Sequence, residues 1–173
     1  MLITLMAAGT VALDAVLAVQ VLALFYQPSR VKLGWMVESY GLLVIFLLSA
    51  LAVIGTLFLQ YFDALQPCVL CWWQRVFMYP IPLISLIAIV KGQKLSDIAD
   101  HIAALSFIGA GVALYQHLLQ ILPAGSLIPC SATDECAIRS IFEFGFVTLP
   151  WMSLTVFAVL FLVALVGRES RDA

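Results

Sequence analysis

The chain has 173 residues, of which 64% are hydrophobic and 10% are charged, and its formal net charge is −2. Soluble domains are about 45–50% apolar and about 25% charged, so this composition excludes a water-soluble globular protein and predicts one integral membrane domain over residues 1–173. The sequence has no basic stretch suited to nucleic acid, which leaves membrane lipid as its expected surroundings.

Five apolar stretches are long enough to cross a bilayer, which needs about 20 apolar residues in a helix. They are also too long and too uniformly apolar for the strands of a membrane barrel. The sequence therefore predicts an all-α integral membrane protein with five transmembrane helices, over residues 2–26, 40–62, 68–90, 102–122 and 148–167.

The first stretch, residues 2–26, lacks the basic start and the small-residue cleavage site of a signal peptide. We expect it to be a retained helix. It contains one carboxylate, Asp14, for which two interpretations stay open. The simpler one is an interhelical hydrogen bond or a position near water, and the other is a polar or proton-linked role.

The lysines and arginines predict which side of the membrane each connection occupies. With five spans, one side receives six cations, namely Arg30, Lys32, Lys91, Lys94, Arg168 and Arg171. Because cytoplasmic connections carry an excess of Lys and Arg, we expect the N-terminus outside and the C-terminus in the cytoplasm. His101 falls on the cytoplasmic side and receives no role.

All four cysteines then fall on the outer side, Cys68 and Cys71 at the start of the third helix and Cys130 and Cys136 in the loop over residues 123–147. An outer compartment permits disulfides. Such a compartment is either the outer side of a bacterial cytoplasmic (inner) membrane or a secretory lumen, and in both cases the active cysteines are extracytoplasmic.

The stretch LQPCVLCWWQR places a CxxC pair beside a cation inside an apolar segment. Pro67 suits the first position of a helix, and the positive end of a helix dipole stabilises a thiolate in the first turn. Cys68, Cys71 and Arg75 share one helix face at this spacing. Arg75 has a simpler interpretation, in which its guanidinium extends to the membrane interface.

The second pair lies in a different setting. Cys130 follows a proline, and Asp134 and Glu135 stand directly before Cys136, where carboxylates disfavour a thiolate. The residues that follow predict a short surface helix, with Ile138, Ile141 and Phe142 on its apolar face. Four cysteines could also bind a structural zinc ion or form two purely structural disulfides. A CxxC pair that faces an oxidising compartment favours disulfide exchange over both alternatives, so no metal is expected.

These motifs resemble those of the DsbB family of disulfide-forming membrane oxidases. The resemblance rests on PCVLCWWQR, on YQHLLQ before a PC loop and on FGFVTLPWMSL, and it covers roughly residues 40–173. The short CSATDEC loop is similar to that of the compact members. The resemblance implies a four-helix transmembrane bundle, here with an extra N-terminal helix. It also implies a protein-dithiol:quinone oxidoreductase that supports disulfide bond formation.

The resemblance further implies a partner, a cofactor and the residues that serve them. The partner is a DsbA-like thioredoxin-fold protein on the outer side, and the cofactor is a quinone, either ubiquinone or menaquinone. Arg75 and His117 line the quinone site in this assignment, although His117 on its own indicates an interfacial hydrogen-bonding residue. By the same resemblance, Cys68 and Cys71 are the redox-active pair next to the quinone. Cys130 and Cys136 are the shuttle pair that reacts with the partner.

Two other classes of protein remain open. One is a membrane scaffold without enzymatic activity, whose outer loop is held by disulfides. The other is a quinone reductase similar to vitamin K epoxide reductase, but in that family the loop pair precedes the CxxC, whereas here Cys68 and Cys71 precede Cys130 and Cys136.

Overall fold

The structure is a computed structural model that describes residues 2–25, 27–62, 67–122 and 142–169. Within these residues the chain is almost entirely helical. Its helices are α1 (Leu2–Phe25), α2 (Gln27–Tyr61), α3 (Val69–Met78), α4 (Pro80–Val90), α5 (Leu95–Ile121) and α6 (Leu149–Glu169).

These helices contain five segments that are long and apolar enough to cross a membrane, with α3 and α4 together forming the third. The segments are Thr4–Ala23, Gly34–Tyr61, Val69–Val90, Leu95–Ile121 and Leu149–Glu169. Large aliphatic side chains on their outer faces, such as Leu51, Leu83 and Val90, are exposed. Such extensive apolar surface requires lipid rather than water, so the prediction of an all-α multi-pass membrane protein with five spans is confirmed.

The third span is interrupted at Tyr79. Pro80 and Pro82 have no backbone N–H, so two of the helical hydrogen bonds are missing at this point. Tyr79 itself keeps right-handed helical angles, and its N–H donates to the Arg75 carbonyl oxygen at 2.9 Å. The single helix predicted over residues 68–90 is therefore two helices that share one span.

Two helices begin earlier than the sequence predicts. Arg30 and Lys32 were expected in a connection, but α2 begins at Gln27 and includes both. Pro28 is tolerated there because the first turn of a helix has no intrahelical use for its N–H. Likewise α5 begins at Leu95, where the Lys94 N–H donates to the Asp97 carboxylate at 3.0 Å. Polar helix ends extend past the apolar core of a membrane, so apolar runs alone underestimate helix length.

The bundle is built around α5 and α6, which pack along each other most extensively. At the start of α5, Leu95 is 4% exposed and lies between Gly41 of α2 and Gly167 of α6. Farther along, the ring of Phe157 packs directly against Gly109. Small residues of this kind let membrane helices approach closely. The first helix, α1, packs against α2 and α6.

A tight turn leads into α6. Glu143 pairs with Val147 in an isolated antiparallel bridge, and Phe144 and Gly145 have φ angles of 53° and 80°. The predicted surface helix lies mostly outside the described residues, but its expected last residues, Phe142 and Glu143, belong to this turn rather than to a helix. The bridge explains the difference at Glu143, because its N–H donates forward to the Val147 carbonyl oxygen at 3.0 Å, whereas a helical N–H donates to the residue four positions earlier.

Candidate functional site at the CxxC end of the bundle

The CxxC pair lies at the start of α3. Cys68 is the N-cap residue with an extended backbone, and Cys71 is in the first turn of the helix. Their Sγ atoms lie 3.4 Å apart. Cys68 is buried and Cys71 is half-buried. The pair opens the helix as expected, although Pro67 precedes the N-cap residue and is not the first helical residue. The two sulfurs lie close enough to form a disulfide once an acceptor takes up two electrons.

A buried glutamine, Gln116 of α5, bridges both sulfurs. Its Nε2 lies 3.3 Å from Cys68 Sγ and 3.4 Å from Cys71 Sγ, while its Oε1 accepts a 2.6 Å hydrogen bond from Gln74 Nε2. Amide N–H groups that face sulfur stabilise negative charge on it. The sequence reasoning missed Gln116, although Gln116 and Gln120 stand at the i and i+4 positions that place two polar side chains on one helix face.

Arg75 is held inside the protein rather than extended to an interface. It is 8% exposed, and its guanidinium donates to Gln60 Oε1 and, at 3.3 Å, to the Thr56 carbonyl oxygen, both on α2. Its Cζ atom also lies 5.1 Å from the ring centre of Trp72. Within the described part of the chain its hydrogen-bond partners are neutral, so none of these partners cancels the positive charge of the guanidinium.

The cysteines and Arg75 line one cavity of about 510 Å³ between α1, α2, α3, α5 and α6. Most of its polar groups lie on α2, at the start of and along α3, and on α5, namely Gln60, Cys68, Cys71, Gln74, Arg75, Gln116 and Gln120, while Thr10 of α1 and Ser153 of α6 also line it. The rest of the wall is mostly apolar, with Leu48, Leu59, Met78 and Phe157 among its members. Such a cavity suits a ligand with an apolar body and a few hydrogen-bond acceptors.

His117 is not among the residues that line this cavity. Its Nδ1 lies 2.9 Å from Thr148 Oγ1, and its ring centre lies 4.8 Å from that of Trp151. The structure thus brings Arg75 and the CxxC pair together, while His117 contacts the turn and first residues of α6. Adjacent residues on a helix point about 100° apart, which explains why Gln116 faces the cavity and His117 does not.

Cys130 and Cys136 lie outside the described residues. Their segment is joined to the described residues at Leu122, which follows α5, and at Phe142, which precedes the turn into α6. Both attachment points are at the CxxC end, since Gln116 of α5 contacts the sulfurs and Val147 packs near Leu59, which lines the cavity. The chain connectivity is therefore compatible with a meeting of the two cysteine pairs.

Asp14 of α1 makes an interhelical contact, as its simpler interpretation predicted. Trp151 Nε1 donates to one carboxylate oxygen at 3.0 Å, and Thr155 Oγ1 lies 2.6 Å from the other. Trp151 in turn packs on His117. Asp14 thereby connects the first helix to the start of α6.

Comparison with known proteins identifies relatives for most of the chain. The family described as DsbB, disulfide bond formation protein DsbB, matches residues 38–167, so α1 lies outside the matched part. The chain is 39% identical to the SPbeta prophage-derived disulfide bond formation protein B of Bacillus subtilis, over 75% of this chain and 85% of that protein. It is 33% identical to disulfide bond formation protein C of the same species, over 70% and 88%.

A third similar protein is the probable disulfide formation protein of Chlamydia trachomatis, which is 27% identical over 78% of this chain and 96% of its own length. No solved structure matches the chain significantly.

Proposed function

We propose that this chain, which belongs to the DsbB family of disulfide bond formation proteins, is a membrane protein-dithiol:quinone oxidoreductase. It oxidises the dithiol of an extracytoplasmic, DsbA-like thioredoxin-fold protein to a disulfide, and two electrons and two protons pass to a membrane quinone. The main support is the cavity, in which a CxxC pair and a guanidinium whose described hydrogen-bond partners are neutral share an otherwise mostly apolar wall.

The donor groups of the cavity fit a quinone. A bound quinone supplies a ring that accepts two electrons and two protons, and its carbonyl oxygens are hydrogen-bond acceptors. Arg75 has five N–H donors, of which the described contacts to Gln60 and Thr56 use two. Arg75 is therefore the residue proposed to bind a quinone carbonyl, while the aliphatic side chains around it hold the ring and exclude water.

The cysteines carry the electrons by disulfide exchange, in which a thiolate attacks a sulfur through a mixed disulfide. A partner thiolate attacks the Cys130–Cys136 disulfide at Cys130, and its second thiol releases it in oxidised form. Cys136 then attacks the Cys68–Cys71 disulfide at Cys68, and Cys130 resolves that bond. The attack on Cys68 releases Cys71 as a thiolate, which the Gln116 amide stabilises in the cavity. Re-formation of the Cys68–Cys71 disulfide would supply the two electrons and two protons that a bound quinone accepts.

His117 receives a positioning role in this proposal. Its contacts with Thr148 and Trp151 fix the start of α6, whose first residues, Leu149 and Pro150, form part of the cavity wall. Direct contact between His117 and a quinone, which the resemblance implies, has no support from the residues that line the cavity.

The proposed orientation places the cysteines outside the cytoplasm of a bacterial cell, in its inner membrane. The cations near the ends of α4, α5 and α6 are all at the end of the bundle opposite to Cys68, and cytoplasmic ends carry the excess of Lys and Arg. Single cysteines introduced at Lys94 and at Arg171 should resist a membrane-impermeant thiol reagent in intact cells. Labelling of either from outside would contradict this orientation.

The direct test uses purified protein, a reduced thioredoxin-fold dithiol protein and a short-tailed quinone. We expect one quinone to be reduced for each dithiol oxidised, measured by quinone absorbance and by thiol titration. The Cys71→Ser protein should give the rate of the protein-free blank. A wild-type protein that consumes no thiols would instead support the membrane scaffold.

A second variant separates the two cysteine pairs. Cys130→Ser should abolish oxidation of the protein partner, but quinone reduction by a small dithiol that reaches Cys68 and Cys71 directly should persist. Equal turnover of the protein partner by wild type and Cys130→Ser would contradict the relay.

A further inference from the structure

We propose that α1, which lies outside the residues matched by the family, is a wall of the redox cavity and determines the largest quinone ring that the cavity accepts. This inference rests on the proposed function. It assigns to Gly9 a specificity-determining role, because the missing side chain at this position leaves room for a bicyclic naphthoquinone ring.

The first support is the position of α1. Although the family match begins at residue 38, the cavity is also lined by residues of α1, namely Met6, Gly9, Thr10 and Leu13. Without α1 this side of the cavity, between α2 and α6, would be open to lipid, since α1 packs against these two helices.

The second support is that specific contacts fix the position of α1 along the bundle, so that its residues 6–13 stay beside the cavity. Ala7 is fully buried and belongs to a small apolar cluster with Leu59 and Met152. One turn beyond Thr10, Asp14 receives the Trp151 indole N–H at 3.0 Å, which adds a polar contact to α6. Polar contacts between membrane helices fix which residues of one helix face the other, so the residues of α1 that line the cavity are not interchangeable with their neighbours.

The third support is the free space at Gly9. A Cβ atom built at Gly9 would meet no atom within 4 Å, although Gly9 belongs to the cavity wall. The contrast is Gly55 on the facing helix α2, where a Cβ atom would lie 3.0 Å from Met6 Cε. Gly9 is also exposed, so a side chain at position 9 would displace no protein atoms, and from its place in the cavity wall it would reduce the space left for a ligand.

The experiment compares Gly9→Leu with Gly111→Leu. Gly111 also lies within a helix with no atom within 4 Å of a Cβ, but it does not line the cavity, so both variants change helix propensity equally. Binding of a short-tailed naphthoquinone and of a short-tailed benzoquinone is measured by quenching of tryptophan fluorescence in detergent, without turnover. Thermal unfolding of each variant shows that it is folded.

We expect Gly9→Leu to weaken naphthoquinone binding by roughly tenfold or more, which is the scale of steric discrimination in apolar pockets. Benzoquinone binding should weaken less, Gly9→Ala should be intermediate, and Gly111→Leu should bind both quinones as wild type does. Wild-type binding of both quinones by Gly9→Leu, or equal weakening of both, would overturn the size limit while leaving the proposed function intact. A wild-type protein that binds neither quinone would overturn both.

Discussion

At one end of the bundle a cavity of about 510 Å³ separates the helices beside Cys71, whereas at the other end Leu95 fills the space between Gly41 and Gly167. Helix α5 contributes to both ends, and Leu95 and Gln116 lie roughly 30 Å apart along it at about 1.5 Å per residue. The same helix, α5, thus borders an open cavity at one end and close-packed side chains at the other.

The difference extends to the polar groups. At the cavity end, Arg75, Gln116 and His117 are all buried and hydrogen-bonded. At the Leu95 end, the charged pair Arg168–Asp100 is 58% and 55% exposed. Buried polar groups are expensive in a membrane protein, and where they occur they usually serve function. We therefore expect substitutions at the cavity end to change chemistry more than stability, and substitutions at the Leu95 end to do the reverse.

The largest expected effect is that of Arg75→Met, which keeps much of the apolar stem and removes the charged hydrogen-bond donors. Hydrogen bonds to charged groups contribute about 1.5–3 kcal/mol. The KM for quinone should therefore rise roughly ten- to a hundredfold, whereas thiol exchange at Cys130 should stay near normal. Quinone-concentration kinetics and a separate assay of disulfide exchange with the partner measure the two effects.

Arg75→Lys is the matched variant, because it keeps the charge without the planar fork of donors. It should recover only part of the quinone affinity. Because Arg75→Met also leaves the Gln60 oxygen without its donor, Arg75→Met/Gln60→Leu provides a second variant in which that oxygen is removed. An unchanged KM in both Met variants would mean that the guanidinium only joins α3 to α2.

The spans and the CxxC–Arg75 face could be predicted because they depend on local sequence. Composition identifies the membrane segments, and helical spacing places Cys71 and Arg75 on one face. The partners of Arg75 on α2 could not be predicted in this way. Gln60 is 15 positions away along the chain, and its approach depends on how α2 packs against α3.

The second prediction concerns packing at the Leu95 end. In Gly41→Ala and Gly167→Ala the new Cβ would lie 2.8 Å and 2.5 Å from Leu95 Cδ2. Overpacking destabilises by about 1–3 kcal/mol, and the better helix propensity of Ala offsets up to about 1 kcal/mol. Leu95 can move away from one Cβ but not from both, so the double variant should lose more stability than the sum of the singles.

Unfolding in a mild detergent measures these stabilities, and Gly111→Ala is the control because a Cβ there meets no atom within 4 Å. Activity per folded molecule should stay unchanged. Leu95→Ala should lower the Tm of wild type but raise the Tm of the double variant. The prediction is wrong if the double variant loses only the sum of the two single stability losses and if Leu95→Ala does not raise its Tm. Gly41 and Gly167 would then not be positions of close packing against Leu95.

The third prediction returns to the cavity end. Gln116→Leu removes the N–H donors that face both sulfurs and deprives Gln74 of its acceptor. Since one net hydrogen bond contributes about 1 kcal/mol, alkylation of Cys71 should slow by roughly three- to tenfold. The measurement uses a background in which Cys71 is the sole cysteine. Gln93→Leu, an exposed glutamine near the Leu95 end, is the control. Equal rates in the two variants would deny Gln116 any influence on the thiolate.

Gln116 and Asp14 show where prediction from sequence stops. YQHLLQ indicates a polar site on α5, but the pattern does not reveal whether Gln116 or His117 faces the cavity, because the rotation of a helix depends on its neighbours. Asp14 was recognised as a carboxylate within a membrane span, yet its partner Trp151 is 137 positions away. The lining of the cavity by α1 follows from that contact and from the packing of Ala7, and neither has a local signal in the sequence.

The smallest expected effect is that of Arg168→Met at the Leu95 end. Arg168 Nε lies 3.3 Å from Asp100 Oδ1, but both side chains are more than half exposed. Exposed ion pairs contribute about 0–1 kcal/mol because solvent screens them and because two long side chains must be ordered. Arg168→Met, Asp100→Asn and the double variant should therefore unfold within about 1 kcal/mol of wild type, with the wild-type KM for quinone. The same Arg-to-Met change thus tests both ends of the bundle, and a quinone KM raised as much by Arg168→Met as by Arg75→Met would show that the two ends are not separated in function.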